Sequence, residues 1–435
     1  MGAWGREPRL GPSHRPYWDG REHREASTVP APRVTRVFGY WRAERRTIRQ
    51  AMVALLLATA GNLIAGIALG RITGTLERLP GLLVLLPAAI ATRGSVFGAL
   101  GSRLGTSIHT GLFEVSRRRE GLLYQNVYAA TVLTVTVSVV LGVLAKLFSI
   151  GAGLRSVSVA DLVAMSAVAG VLSSAAVGVL TIALAAAAAR RAWDLDTVAS
   201  PVVTAVGDTV TIPALFVATV VATRAWATPA IAATAAVAAV VLTVRGYMVD
   251  LDTARRTIRE SLPVLIGGGM LALLAGVAIQ ARMEQFLAFP ALLVLIPPLL
   301  ADAGALGSVL SARLASKLHL GSLKPRAVPE ALALLDTSIV LGTAVVMFAL
   351  VGGAAHLVGV AVGLPSPGAA RMVGVSLLAG MLATTVAVAV AYYAAVLTYR
   401  AGLDPDNHGV PVITSTMDLV GVVCLVLALV AFGLA

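Results

Sequence analysis

Charge is scarce in this sequence: Asp, Glu, Lys and Arg make up 13% of its 435 residues, about half the share usual in a soluble domain. Aromatic residues are few as well, at 5%, and the one cysteine, Cys424, lies inside an apolar run. A single thiol excludes a disulfide scaffold, and so little charge excludes a soluble enzyme. The chain also has no phosphate-binding loop, no nucleotide motif and no catalytic-triad spacing. Transport driven visibly by ATP is therefore not expected, and an intramembrane enzyme would lack a nucleophile–base pair. What fills the chain is apolar and small: 57% hydrophobic residues, 42 Gly and a mean hydropathy of +0.86, the composition of closely packed membrane helices.

Acidic residues, 22 against 34 Lys and Arg, are the scarcer sign, leaving a net charge of +12. The excess does not point to nucleic acid, because it is not spread along the chain. Residues 1–49 hold 11 Arg and five Asp or Glu in a Pro-containing, apolar-poor stretch. Such a segment reads as a basic cytoplasmic tail over 1–48, disordered or with a loose helix only near 40–50. It lacks the short positive region and cleavage site of a signal peptide and is expected to be retained, where it touches anionic headgroups or keeps the N-terminus inside.

A spanning helix needs about 20 mostly apolar residues. Such runs fall at 51–70, 79–101, 125–150, 160–188, 198–222, 227–244, 261–280, 287–311, 331–360, 372–399 and 409–434. With the N-terminus cytoplasmic, eleven spans place 26 Lys and Arg inside and seven outside, as the positive-inside rule requires. Without the sixth span, the basic cluster Arg245–Arg259 would lie outside. The expectation is an all-α multi-pass protein of the cell (inner) membrane, N-terminus in and C-terminus out.

An internal repeat organises these spans. Pro80–Gly111 aligns with Pro290–Gly321 at an offset of 210, with 13 of 32 positions identical. Pro87/Pro297, Gly94/Gly304, Arg103/Arg313 and His109/His319 are among them. The same offset aligns Arg190-x-x-x-Asp194-x-Asp196 with Arg400-x-x-x-Asp404-x-Asp406, and Pro201-Val202-x-Thr204-x-x-x-Asp208 with Pro411-Val412-x-Thr414-x-x-x-Asp418. The chain is therefore two five-helix units, 49–224 and 258–435, with a linker helix and loop over 225–257. Because five is odd, one linker helix makes the two units parallel, related by an axis along the membrane normal. A fused parallel pair imitates a two-fold dimer with its site on that axis.

Few charges lie at membrane depth: Arg93, Asp208, Asp302 and Asp418, with Asp336 near a helix end. Asp208 and Asp418 stand about ten residues into outward-running spans, roughly 15 Å deep at 1.5 Å per residue. A lone carboxylate there costs at least about 2.5–3.5 kcal/mol, so it faces water or a partner. Two at equivalent positions converge on the axis, and their charge balances one divalent cation. A hard, hydrated ion such as Mg²⁺ takes oxygen ligands and keeps most of its waters. The competing readings are proton carriage and hydrogen bonding to neighbouring helices. Thr204 and Thr414, one turn before each Asp, add oxygens or simply pack.

Proline and glycine in the second and eighth spans loosen the helix toward a water-filled path or make packing kinks. Pro87, Gly94, Ser95, Pro297 and Gly304, with Arg93, are thus candidate pore or gating residues. The copies differ at Thr92-Arg93-Gly94-Ser95 and Asp302-Ala303-Gly304-Ala305. Either Arg93 pairs with Asp302 across the repeat interface, or Arg93 points away and Asp302 joins the cation path as a further metal ligand. Asp194, Asp196, Asp404 and Asp406 precede outward helices, where they cap the helix or line a vestibule. His109 and His319 have no carboxylate or cysteine near them in sequence and are not expected to hold metal.

At these residues the chain resembles the MgtE-type magnesium transporters, and more closely the fused two-repeat solute-carrier branch of that superfamily. The resemblance covers about 48–435 and rests on the proline–glycine helices and on Asp404-Pro405-Asp406-Asn407…Pro411…Thr414…Asp418. It implies that Asp208 and Asp418 line a cation pore, with Mg²⁺ as the transported ion and no cofactor. Ser95 and Ala305 stand where the family has asparagine, a departure that bears on ion preference and not on fold. The soluble magnesium-sensing domains of bacterial members find no room in the 49 residues before the first span. The alternatives are a proton- or sodium-coupled divalent cation exchanger and a non-transporting scaffold or sensor. The expected partners are the lipid bilayer and the cation.

Overall fold

The computed structural model describes residues 34–109, 114, 118–191, 195–222, 226–401 and 405–434, and it is helical throughout its regular structure. A short helix, α1 (Val34–Ala43), leads into the first unit: α2 (Arg45–Arg71), α3 (Thr73–Arg78), α4 (Leu82–His109), α5 (Leu122–Gly151), α6 (Val159–Arg191) and α7 (Leu195–Ala222). The linker α8 (Ala227–Met248) follows. The second unit comprises α9 (Asp252–Gln280), α10 (Met283–Ala288), α11 (Ala291–His319), α12 (Ala331–Ala361), α13 (Ala369–Arg400) and α14 (Pro405–Ala431). Among the described residues, ten helices are long and apolar enough to cross a membrane, and α7 adds a shorter apolar stretch, Val206–Val220. The expected multi-pass architecture of about eleven helices is the one observed.

The offset of 210 is built into the packing. The short α3 and α10 occupy equivalent residues, and each buries one anchor, Leu76 or Phe286. Their six residues are too short to register as spans, so hydropathy alone runs them into the helix that follows. Ser166 and Ser376 each donate a 2.7 Å hydrogen bond to a carbonyl of the preceding long helix, Ser138 O and Phe348 O. The helices carrying those carbonyls end at Gly153 (φ +68°) and Gly363 (φ +78°). Leu154 N and Leu364 N reach back to Ser149 O and Gly359 O at 2.9 and 2.8 Å, closing each helix with a left-handed glycine.

The first helix of each unit leans on the other unit. α2 packs against α11 and α12, while α9 packs against α4 and α5; each also touches the fifth helix of its own unit, α7 or α14. Two glycines make this exchange close. A Cβ at Gly66 would fall 2.5 Å from Val294 O, and one at Gly276 would fall 2.1 Å from Val84 O. Both pairs are equivalents at offset 210. The units are thus interlocked around the axis rather than set side by side.

Residues 1–33 of the expected tail lie outside the described residues. Residues 34–43 form a helix that starts ahead of the 40–50 region read from sequence, because two of the scarce aromatics anchor it. Trp41 Nε1 donates to Ser338 Oγ at 3.0 Å, and its ring covers Gly342. Tyr40 O–H donates to Asp336 Oδ1 at 2.8 Å.

Candidate functional site

The two helices that carry Asp208 and Asp418, α7 and α14, sit against the proline–glycine helices α4 and α11. The helices meet there in ordinary van der Waals contact. The Cβ position of Gly304 lies 3.8 Å from Thr414 Cγ2 and 3.9 Å from Met417 Cβ. Its counterpart contact sets Gly207 against Arg93 Cβ at 3.8 Å and Gly94 N at 4.0 Å. Met417 and Gly207 each stand one residue before an aspartate. Asp208 is buried and Asp418 half-buried. α4 and α11 run unbroken through Pro87 and Pro297. Ser95 is exposed on α4 and Ala305 half-buried on α11.

Arg93 does not pair with Asp302. Its guanidinium turns into its own unit, where Nη1 donates to Ser174 Oγ at 2.8 Å and Nη2 to Ser138 Oγ at 2.9 Å. Gly170 leaves room for it, because a Cβ there would fall 3.1 Å from Nη2 and 2.3 Å from Ser138 Oγ. In the other unit the equivalent niche beside Gly380 is filled by the ring of Phe348, and Thr384, equivalent to Ser174, has a buried hydroxyl with no partner among the described residues. A polar niche for a guanidinium has thus been traded for an aromatic one. Asp302, on α11, accepts instead from Thr59 Oγ1 of α2 at 2.7 Å. Sequence reasoning missed Thr59. Its signal was one of two polar residues, Thr59 and Asn62, in the middle of an apolar first span.

Asp194 and Asp404 lie outside the described residues. Asp196, Asp406 and Thr204 fall within α7 and α14, with their side chains outside the described set too. His109 closes α4; His319 Nδ1 lies 3.0 Å from Ala315 O, and its ring stands edge-on to Tyr399. Among the described residues no three His, Cys, Asp or Glu converge.

Asp336 is fully buried and makes the densest ionic cluster described. Arg313 Nη2 and Nε reach its Oδ1 at 2.7 and 3.0 Å, Lys317 Nζ bonds its Oδ2, and Tyr40 O–H completes its shell. Glu44 holds the outer side of Arg313 at 3.1 Å. The equivalent pair in the first unit is a single contact, Arg103 Nη1 to Asn126 Oδ1 at 3.4 Å. Removing one partner of a buried ion pair strands the others. Asp336→Ala is therefore expected to cost about 3 kcal/mol, and Asn126→Ala under about 1.5 kcal/mol. Thermal unfolding in detergent reads the difference; equal losses would mean that the cluster contributes nothing beyond packing.

Known proteins bear on this geometry at three levels. A family model described as "MgtE: Divalent cation transporter" matches residues 86–218 and 296–428, more than half of the chain and again two segments 210 apart. Solute carrier family 41 member 3 of Rattus norvegicus is 23% identical over 397 residues, covering 86% of this chain and 85% of that protein. Its Mus musculus counterpart is 23% identical over 394 residues, covering 86% and 80%. No solved structure matches.

Proposed function

The chain belongs to the MgtE family of divalent cation transporters, and from that premise we propose that it passes Mg²⁺ down the electrochemical gradient along the axis between its two units. The carrying observation is Asp208 and Asp418: equivalent residues on equivalent helices, each helix packed against a proline–glycine helix, in a bundle with few other charges. Two carboxylates there repel each other and balance one divalent charge. Thr414 stands one turn before Asp418, packed beside Gly304, and Thr204 holds the equivalent position. Both add neutral oxygens to those of retained water. A hydrated ion held in this way needs few protein ligands, which fits two aspartates and no larger cluster.

The driving force follows from charge alone. A divalent ion crossing 100 mV gains about 4.6 kcal/mol, so inward movement into a negative interior needs no nucleotide. In this reading the basic ends of the helices face the cytoplasm of the cell membrane, with the N-terminus inside and the C-terminus outside, and the protein is a transporter and not an enzyme. The test is Mg²⁺ uptake into proteoliposomes as an inside-negative potential is raised stepwise. Uptake that grows with the potential and runs without ATP is the expected result. Uptake indifferent to the potential but tied to proton release would replace this reading with an exchanger. No divalent flux under any gradient would leave a scaffold or sensor.

A further inference from the structure

Asp302 lies about 16 Å along α11 at 1.5 Å per residue, is 1% exposed, and leaves its Oδ1 without a donor among the described residues. Its Oδ2 shares the Thr59 hydroxyl with Leu55 O, the two contacts measuring 2.7 and 2.8 Å. One turn further along α2 is Asn62, also 1% exposed, with an Oδ1 that meets no donor. Thr59, Asn62 and Gly66 form one helical stripe, at i, i+3 and i+7. The contact of Gly66 with the Val294 backbone turns that stripe toward α11. A threonine hydroxyl brings a single proton, and here two acceptors, Leu55 O and Asp302 Oδ2, compete for it. A buried carboxylate with an unpartnered oxygen, on a seam that holds a second unpartnered acceptor, is stabilised by a cation.

The equivalent seam in the other half carries Gly269, Ala272 and Thr92 where this one has Thr59, Asn62 and Asp302. The feature is therefore one-sided. At membrane depth three carboxylates, Asp208, Asp302 and Asp418, and one guanidinium, Arg93, leave a charge of −2, which one divalent ion neutralises. α2 also touches the axial aspartate's helix, because Thr209, next to Asp208, donates to Gly61 O at 2.9 Å.

We propose that Asp302, Thr59 and Asn62 form an off-axis station for the same divalent cation, occupied alternately with the axial pair. This rests on the axial reading of Asp208 and Asp418 and adds a second stop on the ion's route. The station gives the ion one carboxylate and two neutral oxygens beside its remaining waters. A single ion moving between the two sites keeps the interior neutral at either stop.

The probe is Cd²⁺, which binds a thiolate far more tightly than a carboxylate or hydroxyl. With Cys424→Ala as background, Asn62→Cys and Thr59→Cys are made separately and Mg²⁺ uptake is measured against added Cd²⁺. Each is expected to be blocked at concentrations at least about ten-fold lower than the background, and adding Asp302→Asn should erase the gain. Asp302→Asn alone should slow Mg²⁺ uptake about ten-fold with an unchanged melting temperature. Cd²⁺ sensitivity equal to the background in both cysteine variants, or a gain that survives Asp302→Asn, would overturn the station even where the axial pair proves essential. If the wild type passes no Mg²⁺, the axial reading falls on its own. The Cd²⁺-induced rise in melting temperature of the two cysteine variants, present or absent with Asp302, then still decides whether the station binds.

Discussion

Asp208→Asn combined with Asp418→Asn is expected to cut potential-driven Mg²⁺ uptake by about 10²- to 10³-fold while leaving the protein at least as stable. The two halves of that expectation come from one cause. In the proposed site two carboxylates brought together on the axis repel, and the ion offsets that repulsion when it binds. Stranding the ion by removing its counter-charges costs about 3–5 kcal/mol, the scale of a broken buried pair, and 1.36 kcal/mol is a factor of ten in rate. Without the ion, replacing both charges by amides of the same shape removes a destabilising interaction, so the melting temperature holds or rises. A purely structural role for the aspartates predicts the opposite pairing, with stability falling and transport following it down. Measuring both quantities on the same preparation separates the two. A double variant that transports at the wild-type rate would remove Asp208 and Asp418 from the ion's route.

The axial pair was legible in the sequence because it occurs twice. One intramembrane aspartate is ambiguous, but two at a fixed offset, each four residues after a threonine and seven after a proline, select a position on equivalent helices. Arg93 and Asp302 were legible as unusual charges and misleading as partners, since their pairing depends on where side chains turn. Ser138, Ser174 and Gly170, which draw Arg93 into its own unit, lie 45 to 81 residues away, and nothing in local spacing announces them. The docking of α1 was hidden for a related reason. Composition marked that stretch as tail, whereas Tyr40 and Trp41 find their partners on α12 nearly 300 residues later.

The interlock of the units was also written in the sequence, in a place easily passed over. Leu63, Ala65, Gly66 and Ala68 recur as Leu273, Ala275, Gly276 and Ala278, a small-residue stripe of the kind that lets membrane helices approach closely. Only the structure shows that each stripe meets the opposite unit. Gly276 is the tighter of the two, its absent Cβ falling 2.1 Å from Val84 O and 2.7 Å from Val84 Cα. Those are backbone atoms, which cannot rotate aside as a side chain can, so any side chain at this position drives α9 and α4 apart. Gly276→Ala is expected to cost about 3 kcal/mol, the upper part of the overpacking range. Gly276→Leu should prevent the bundle from closing, leaving aggregated protein on size exclusion; Gly66→Ala, against Val294, should follow the same order. Gly267, on the same α9, supplies the control because nothing lies within 4 Å of its Cβ position. Relieved of glycine's helix penalty, Gly267→Ala should be neutral or more stable by up to about 1 kcal/mol. If Gly276→Ala and Gly267→Ala melt together, the two units are not clamped at this crossing. If they separate as expected, the axial site owes its geometry to α2 and α9, each of which packs at once on the fifth helix of its own unit and on the second helix of the other.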